Sequence, residues 1–188
     1  MLPPFVGVPG TGMRSLRIVD TSGTVYWSTL PPCEADGSEY QFNSVDGTDI
    51  RSYDGISGIV HDTRAMFLVG VFCSSEEALD PSPPRQLMNE EAATGLEFSP
   101  LLNQTFFIGD GLTGHGSGQT QTFIAPDGAT RLFLGFADAY AFGYPVSDPG
   151  WYSDNGGQLQ VELTWVPEPS TSLVLVVAGW GMLLRRRR

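Results

Sequence analysis

The chain has 188 residues, 21 Asp plus Glu against 10 Lys plus Arg, and a formal net charge of −11. Every basic residue is arginine and four of them close the chain, so residues 1–166 hold six arginines against twenty acidic side chains, a balance of −14. Binding to nucleic acid needs a basic surface that neutralises phosphates, and this composition excludes it. The length suits one domain with a real hydrophobic core.

Residues 1–14 carry no strand or helix pattern and are expected to be unstructured. The stretch Met1–Gly12 also lacks the basic start and apolar run of a secretory signal peptide, which points to a miscalled start. From Ser15 the apolar residues fall in short runs between Gly and Pro turn signals, the pattern of an all-β sandwich or barrel. Strands are expected at Ser15–Val19, Thr24–Thr29, Gly58–His61, Ala65–Phe72, Leu96–Ser99, Thr105–Ile108, Thr120–Ala125, Thr130–Phe136 and Gln158–Trp165. Ala65–Phe72 and Leu132–Phe136 are almost continuously apolar, as central strands covered on both faces should be. Residues 74–95, broken by Pro81, Pro83 and Pro84, read as a surface excursion with weak helical character at Ser74–Leu79 and Gln86–Ala93.

Cys33 and Cys73 are the only cysteines and match no zinc spacing; they either form a disulfide, whose closed loop would contribute about 4 kcal/mol, or stay as two buried thiols. His61 and His115 are the only histidines. His61 beside Asp62 invites a hydrolase reading, but no G-x-S-x-G elbow accompanies it, and a structural histidine at a strand end is the stronger expectation. Gly109, Gly111 and Gly114 match G-x-G-x-x-G in letters alone. A dinucleotide loop must open a helix, whereas a β pattern follows here, so a hairpin is expected.

Two predicted strand ends converge on a candidate cation site. Asp138 lies just past one apolar strand, and Asp154 and Asn155 lie just before the last, so hard oxygen donors from both would suit calcium. An ordinary polar turn at Asn155-Gly156 is the competing account. Tyr140, Phe142, Tyr144, Trp151 and Tyr152 crowd the intervening loop, where they would either stack on sugar rings or close one end of the domain. In the last strand Leu159, Val161, Leu163 and Trp165 alternate with Gln160, Glu162 and Thr164, so one face is expected buried and the other wet.

After Val166 the pattern changes. Pro167, Glu168 and Pro169 form an exposed linker that cannot enter a helix interior. An uncharged stretch from Ser172 to Leu184 follows, long enough for a short transmembrane helix when its flanks sit in the interface, and Arg185, Arg186, Arg187 and Arg188 act as a cytoplasmic stop-transfer cluster. This order of Pro-Glu-Pro, apolar helix and arginine cluster over residues 167–188 resembles the PEP-CTERM sorting domain of Gram-negative bacteria. The resemblance implies recognition of Pro167–Pro169 by an exosortase-type membrane protease. It implies export, an inner-membrane-anchored intermediate held by the C-terminal helix, and final residence at the cell surface or in the extracellular matrix.

A weaker resemblance covers FIAPDGATRLFLGFAD and YSDNGGQLQVEL between Phe123 and Leu163, with IVHDTRAMFLVGVF upstream from Ile59. These segments look like the bacterial galactophilic calcium lectins, β-sandwiches of galactose-binding-domain-like jelly-roll type. That likeness implies calcium held by Asp138, the Trp151 carbonyl, Asp154 and Asn155; among the loop aromatics, Tyr144, Trp151 and Tyr152 are the candidate carbohydrate-stacking residues. This chain departs from the family at the first of the paired asparagines, which is Asp154, in its longer loop, and at the sugar-contacting His and Gln, which fall near Tyr53 and Ile56.

The expected organisation is an N-terminal 1–14 segment, a β-sandwich over 15–166 and a sorting segment over 167–188. The expected function is that of an exported, non-enzymatic surface or matrix protein that associates with extracellular polysaccharide, with calcium as the candidate cofactor. The alternatives are a structural biofilm-matrix protein without a ligand and a small hydrolase using His61.

Overall fold

The computed structural model describes residues 3–10, 14–28, 31–39, 41–42, 45–138 and 155–167. They form a mostly β structure with one helical turn. In chain order the strands are β1 (Phe5–Gly7), β2 (Ser15–Trp27), β3 (Ser38–Glu39), β4 (Gln41–Phe42), β5 (Val45–Asp46), β6 (Thr48–Asp49), β7 (Ile59–His61), β8 (Arg64–Ala65), β9 (Phe67–Cys73) and β10 (Gln86–Met88). The helix α1 (Glu90–Ala93) follows, then β11 (Glu97–Phe98), β12 (Thr105–Phe107), β13 (Leu112–Gly114), β14 (Ser117–Thr120), β15 (Thr122–Ile124), β16 (Arg131–Ala137) and β17 (Asn155–Val166).

Two four-stranded sheets carry the fold. One has the order β1-β16-β9-β12, antiparallel throughout, and the other the order β11-β15-β2-β17, in which only β11 and β15 run parallel. Their facing side chains form one core of Leu16, Ile18 and Phe123 from the second sheet with Leu68, Phe72, Phe106 and Leu132 from the first. Phe72 stacks on Phe106 at 5.1 Å and reaches across to Trp165 of β17 at 6.4 Å, while Phe106 meets Phe123 at 5.7 Å.

The first sheet is covered on its other face as well. Phe67, Val69, Phe107 and Ala137 pack there against Ile59 and Met88 of a three-stranded sheet ordered β10-β7-β6. Strand β9 thus sends Leu68 and Phe72 one way and Phe67 and Val69 the other, which is why its sequence is continuously apolar. Strand β17, at the border of the second sheet, has only one covered face and keeps the expected alternation, with Gln158, Gln160, Glu162 and Thr164 exposed and the residues between them half-buried.

The structure departs from the sequence-based expectations at several points. Phe5–Gly7 is not unstructured but pairs with β16, Phe5 lying opposite Phe133 with their rings 5.3 Å apart. The two strands expected between residues 15 and 29 are one, because β17 pairs along the whole length of β2 and absorbs Val19 as an extra, bulged residue. Within the 74–95 excursion, Ser74–Leu79 is not helical, and the expected Gln86–Ala93 helix is a strand followed by one turn. That turn starts at Glu90 because the Asn89 side chain accepts the Ala92 N–H at 2.7 Å.

Candidate functional site

Asp138 and Asn155 meet as the sequence suggests. β16 ends at Ala137 and β17 begins at Asn155, so the two side chains share one end of the molecule, and the Asn155 Nδ2 donates to Asp138 Oδ2 at 2.8 Å. The Asn155 Oδ1 is buried and has no hydrogen-bond partner among the described residues. A buried carbonyl oxygen left unpaired costs about 1–3 kcal/mol; the amide presents Nδ2 to the carboxylate, so Oδ1 and the carboxylate would share one hard cation only with the amide turned over. Trp151, Asp154, Tyr144 and Tyr152 lie outside the described residues. Among the described residues no three His, Cys, Asp or Glu side chains converge as a metal group, so the pair supplies two oxygen-bearing side chains and no more.

One neighbour escaped the sequence reading. Tyr26, opposite Gly156 in the β2–β17 ladder and 39% exposed, lays its ring over Gly156, where a Cβ would collide with it. It places an aromatic surface one residue from Asn155, and only the register of β17 on β2 reveals it.

A second polar cluster, also unforeseen, borders a cavity of about 250 Å³ lined by Asp36, Glu90, Thr94, Phe107, Thr113 and His115. Arg64 Nε donates to Glu90 Oε1 at 2.6 Å, and the Thr63 hydroxyl donates to the same oxygen at 2.9 Å. His115 Nε2 lies 2.7 Å from Arg64 Nη2 and 3.3 Å from Glu90 Oε2, while its Nδ1 lies 3.4 Å from Asp36 Oδ2. The short Arg64 contact is satisfied when Nε2 accepts and Nδ1–H faces Asp36. Partial burial pushes Glu90 up, but the hydrogen bonds from Arg64 and Thr63 and the charge of Arg64 outweigh it and bring its pKa down to about 2. These groups largely satisfy one another and tie four separated segments together.

The hairpin β13–β14 carries His115 and contains the third glycine of the G-x-G-x-x-G match, confirming that this motif is no dinucleotide loop. Asp110 shapes its approach by accepting the N–H groups of Leu112 and Gly116, each at 2.8 Å. Gly111 has φ +78 and lies so close to Ile18 that a Cβ would come within 2.5 Å of the Ile18 Cβ. Burial, together with nearby Asp36, raises the Asp110 pKa.

His61 sits at the end of β7, fully buried beside Phe67 and Phe107, with ring centroids at 5.3 and 5.9 Å. Its Nδ1 faces the backbone N–H groups of Thr63 and Arg64 at 3.4 and 3.3 Å and Asp62 Oδ1 at 3.5 Å; accepting both N–H groups places the proton on Nε2, a buried atom without a partner among the described residues. A triad histidine needs the opposite tautomer, with Nδ1–H donating to a carboxylate. Burial lowers the His61 pKa, against the opposing charges of Glu90 and Asp62. The geometry is that of a structural histidine closing the β7–β8 turn.

The disulfide alternative is not realised: Cys33 and Cys73 are both free and buried. Cys33 bridges to Val25 of β2 and packs with Ala65 and Met66, whereas Cys73 ends β9 opposite Arg131. Burial raises both thiol pKa values, which keeps the sulfurs protonated and unreactive.

β17 ends at Val166 and Pro167 is the last described residue. Glu168, Pro169, the apolar stretch and Arg185–Arg188 lie outside the described residues. Among the described residues no helix is long and apolar enough to cross a membrane. Comparison with protein-family models, with curated proteins and with solved structures finds no match to the chain.

Proposed function

We propose that the chain is an exported, non-enzymatic protein of a bacterial cell surface or extracellular matrix, delivered by its C-terminal tail and associated with extracellular polysaccharide. The observation that carries this reading is the order Pro167-Glu168-Pro169, uncharged apolar segment and terminal Arg185–Arg188, set directly after a strand that ends at Val166. A sorting signal has to be reachable by a membrane protease and removable without dismantling the domain. A tail that begins where the last strand ends meets both needs. The protease would be of exosortase type, acting at Pro167–Pro169.

The test is expression in a Gram-negative host with and without such a protease, following the mass of the cell-associated and released chain. Loss of about the tail's mass only when the protease is present supports the reading. Retention of the intact tail in both hosts, or unchanged processing when Pro167, Glu168 and Pro169 are all replaced by Ala, sinks it.

The domain is read as a β-sandwich of galactose-binding-domain-like type, and the Asp138–Asn155 pair, with its unpartnered buried Oδ1, favours a calcium-dependent carbohydrate site at that end. On this reading Trp151 and Asp154 complete the coordination, and Tyr144, Trp151 and Tyr152, joined by Tyr26, supply stacking surfaces. Retention on the host's own polysaccharide in calcium, with release by chelator, is the expected behaviour. Retention indifferent to calcium would favour a purely structural matrix protein.

A further inference from the structure

Among the described residues, the outer edge of the border strand β17 is unpaired. It stands last in its sheet, all twelve of its residues pair with β2 on one side, and among the described residues no strand pairs with the other. Such an edge presents a row of backbone donors and acceptors, and proteins normally block it with Lys, Pro, a bulge or a very short strand. None of these guards β17. It contains no Lys and no Pro, the extra residue of its bulge lies on β2, and Glu162 is its only charge in an otherwise strongly acidic chain.

We infer that β17 is a self-association edge, pairing antiparallel with β17 of a second copy to make one continuous eight-stranded sheet across a two-fold axis. The strand's own pattern selects this occupant. Pairing centred on Val161 sets Leu159 against Leu163 of the second copy, Gln158 against Thr164 and Gln160 against Glu162. Apolar thus meets apolar on the inner face, polar meets polar on the outer, and the single acid faces an amide instead of itself. A two-fold contact requires this self-complementarity. The inner-face residues Leu159, Val161, Leu163 and Trp165 are only half-buried within one copy, and extending the sheet would cover them further. The inference is independent of the calcium and carbohydrate reading.

The test is sedimentation of the full chain in non-ionic detergent over a concentration series, with Gln160→Lys and Gln160→Glu as variants. Gln160 is exposed and opposite Ser22, so both variants should keep the fold, with Lys slightly raising and Glu slightly lowering the melting temperature of the dilute chain through Glu162 and the diagonal Asp20 of the same copy. In the dimer each variant acts twice, placing Lys or Glu across from Glu162. Cross-strand charge pairs of this kind should spread the dimer dissociation constants of the two variants by on the order of tenfold, Lys tightest and Glu weakest, with the parent between. Raised salt should narrow the spread. A monomer at every concentration, any other order of affinities, or association equal in all three chains, which would place the contact in the tail or on another face, overturns the inference.

Discussion

The Asp138–Asn155 pair makes a quantitative prediction for Asn155→Ala measured in calcium and in chelator. Without calcium the substitution removes a hydrogen bond to a carboxylate, a loss of about 1.5–3 kcal/mol, but it also removes an oxygen that is buried and unpaired, a gain of about 1–3 kcal/mol. The two nearly cancel, so in chelator the variant should lie within about 1 kcal/mol of the parent. Calcium at 100 times its dissociation constant should add about 2.7 kcal/mol to the parent alone. For a domain of this size that corresponds to a rise of about 5–10 °C in Tm, which scanning calorimetry resolves. Asn155→Asp should sharpen the contrast, since a second carboxylate beside Asp138 repels in chelator and is relieved by the cation. If the parent melts at the same temperature in calcium and in chelator, or if the shift survives in Asn155→Ala, the cation reading is refuted and the pair is only a hydrogen bond between strand ends.

Two further outcomes follow from the core and the ionisable groups. Phe72→Ala should cost about 3–5 kcal/mol in urea unfolding, because it opens a cavity between the two sheets, whereas Leu87→Ala, at a position 71% exposed, should stay within about 0.5 kcal/mol; equal losses would mean the facing sheets do not share a core. Acid should destabilise the fold in two windows. The unfolded chain takes up a proton at His61 below about pH 6.5 that the buried imidazole resists, so stability falls from there downward. Glu90 has a folded pKa of about 2 against 4.5 unfolded, so its stabilisation is complete above pH 4.5 and is lost as pH falls towards 2. The stability gap between the parent and Glu90→Gln, followed by melting at stepped pH, should therefore shrink through the lower window, and a constant gap would contradict it.

What could be read from the residues was local pattern. The alternation from Gln158 to Trp165 and the apolar run at Phe67–Phe72 reported their faces correctly, because side-chain direction in a strand has period two whatever the partner. The strand ends were only approximate: the last strand, expected from Gln158, begins three residues earlier, at Asn155 itself. β1 was invisible, since three residues behind Pro3 and Pro4 show no periodicity and become a strand only by docking on β16. The two strands expected at Ser15–Val19 and Thr24–Thr29 run on through Gly23, whose φ of +89 is accommodated inside a continuous ladder because the twelve residues of β17 hold both sides of it. The Arg64, Glu90, His115 and Asp36 cluster assembles side chains up to 79 positions apart, each unremarkable in its own segment. The His61 tautomer depends on two backbone N–H groups at the following turn, which no motif encodes.

The β2–β17 ribbon relates the two halves of the proposed function. Its length, eleven steps of roughly 3.3 Å, separates Asn155 from Val166 by about 36 Å. The candidate ligand pair sits at the first end, and Pro167, the first residue of the proposed sorting segment, follows the second. A domain held at the membrane by its tail would therefore carry the Asp138–Asn155 end on the far side from the bilayer, open to extracellular polymer while still anchored. Cleavage at Pro167–Pro169 should leave that end unaltered, because Asn155 is held by Asp138 and by its pairing with β2, eleven residues away from Val166. Ligand binding should then be the same before and after tail removal, which makes the two activities separable in one preparation: polysaccharide retention reports the Asn155 end, and chain mass reports the Val166 end.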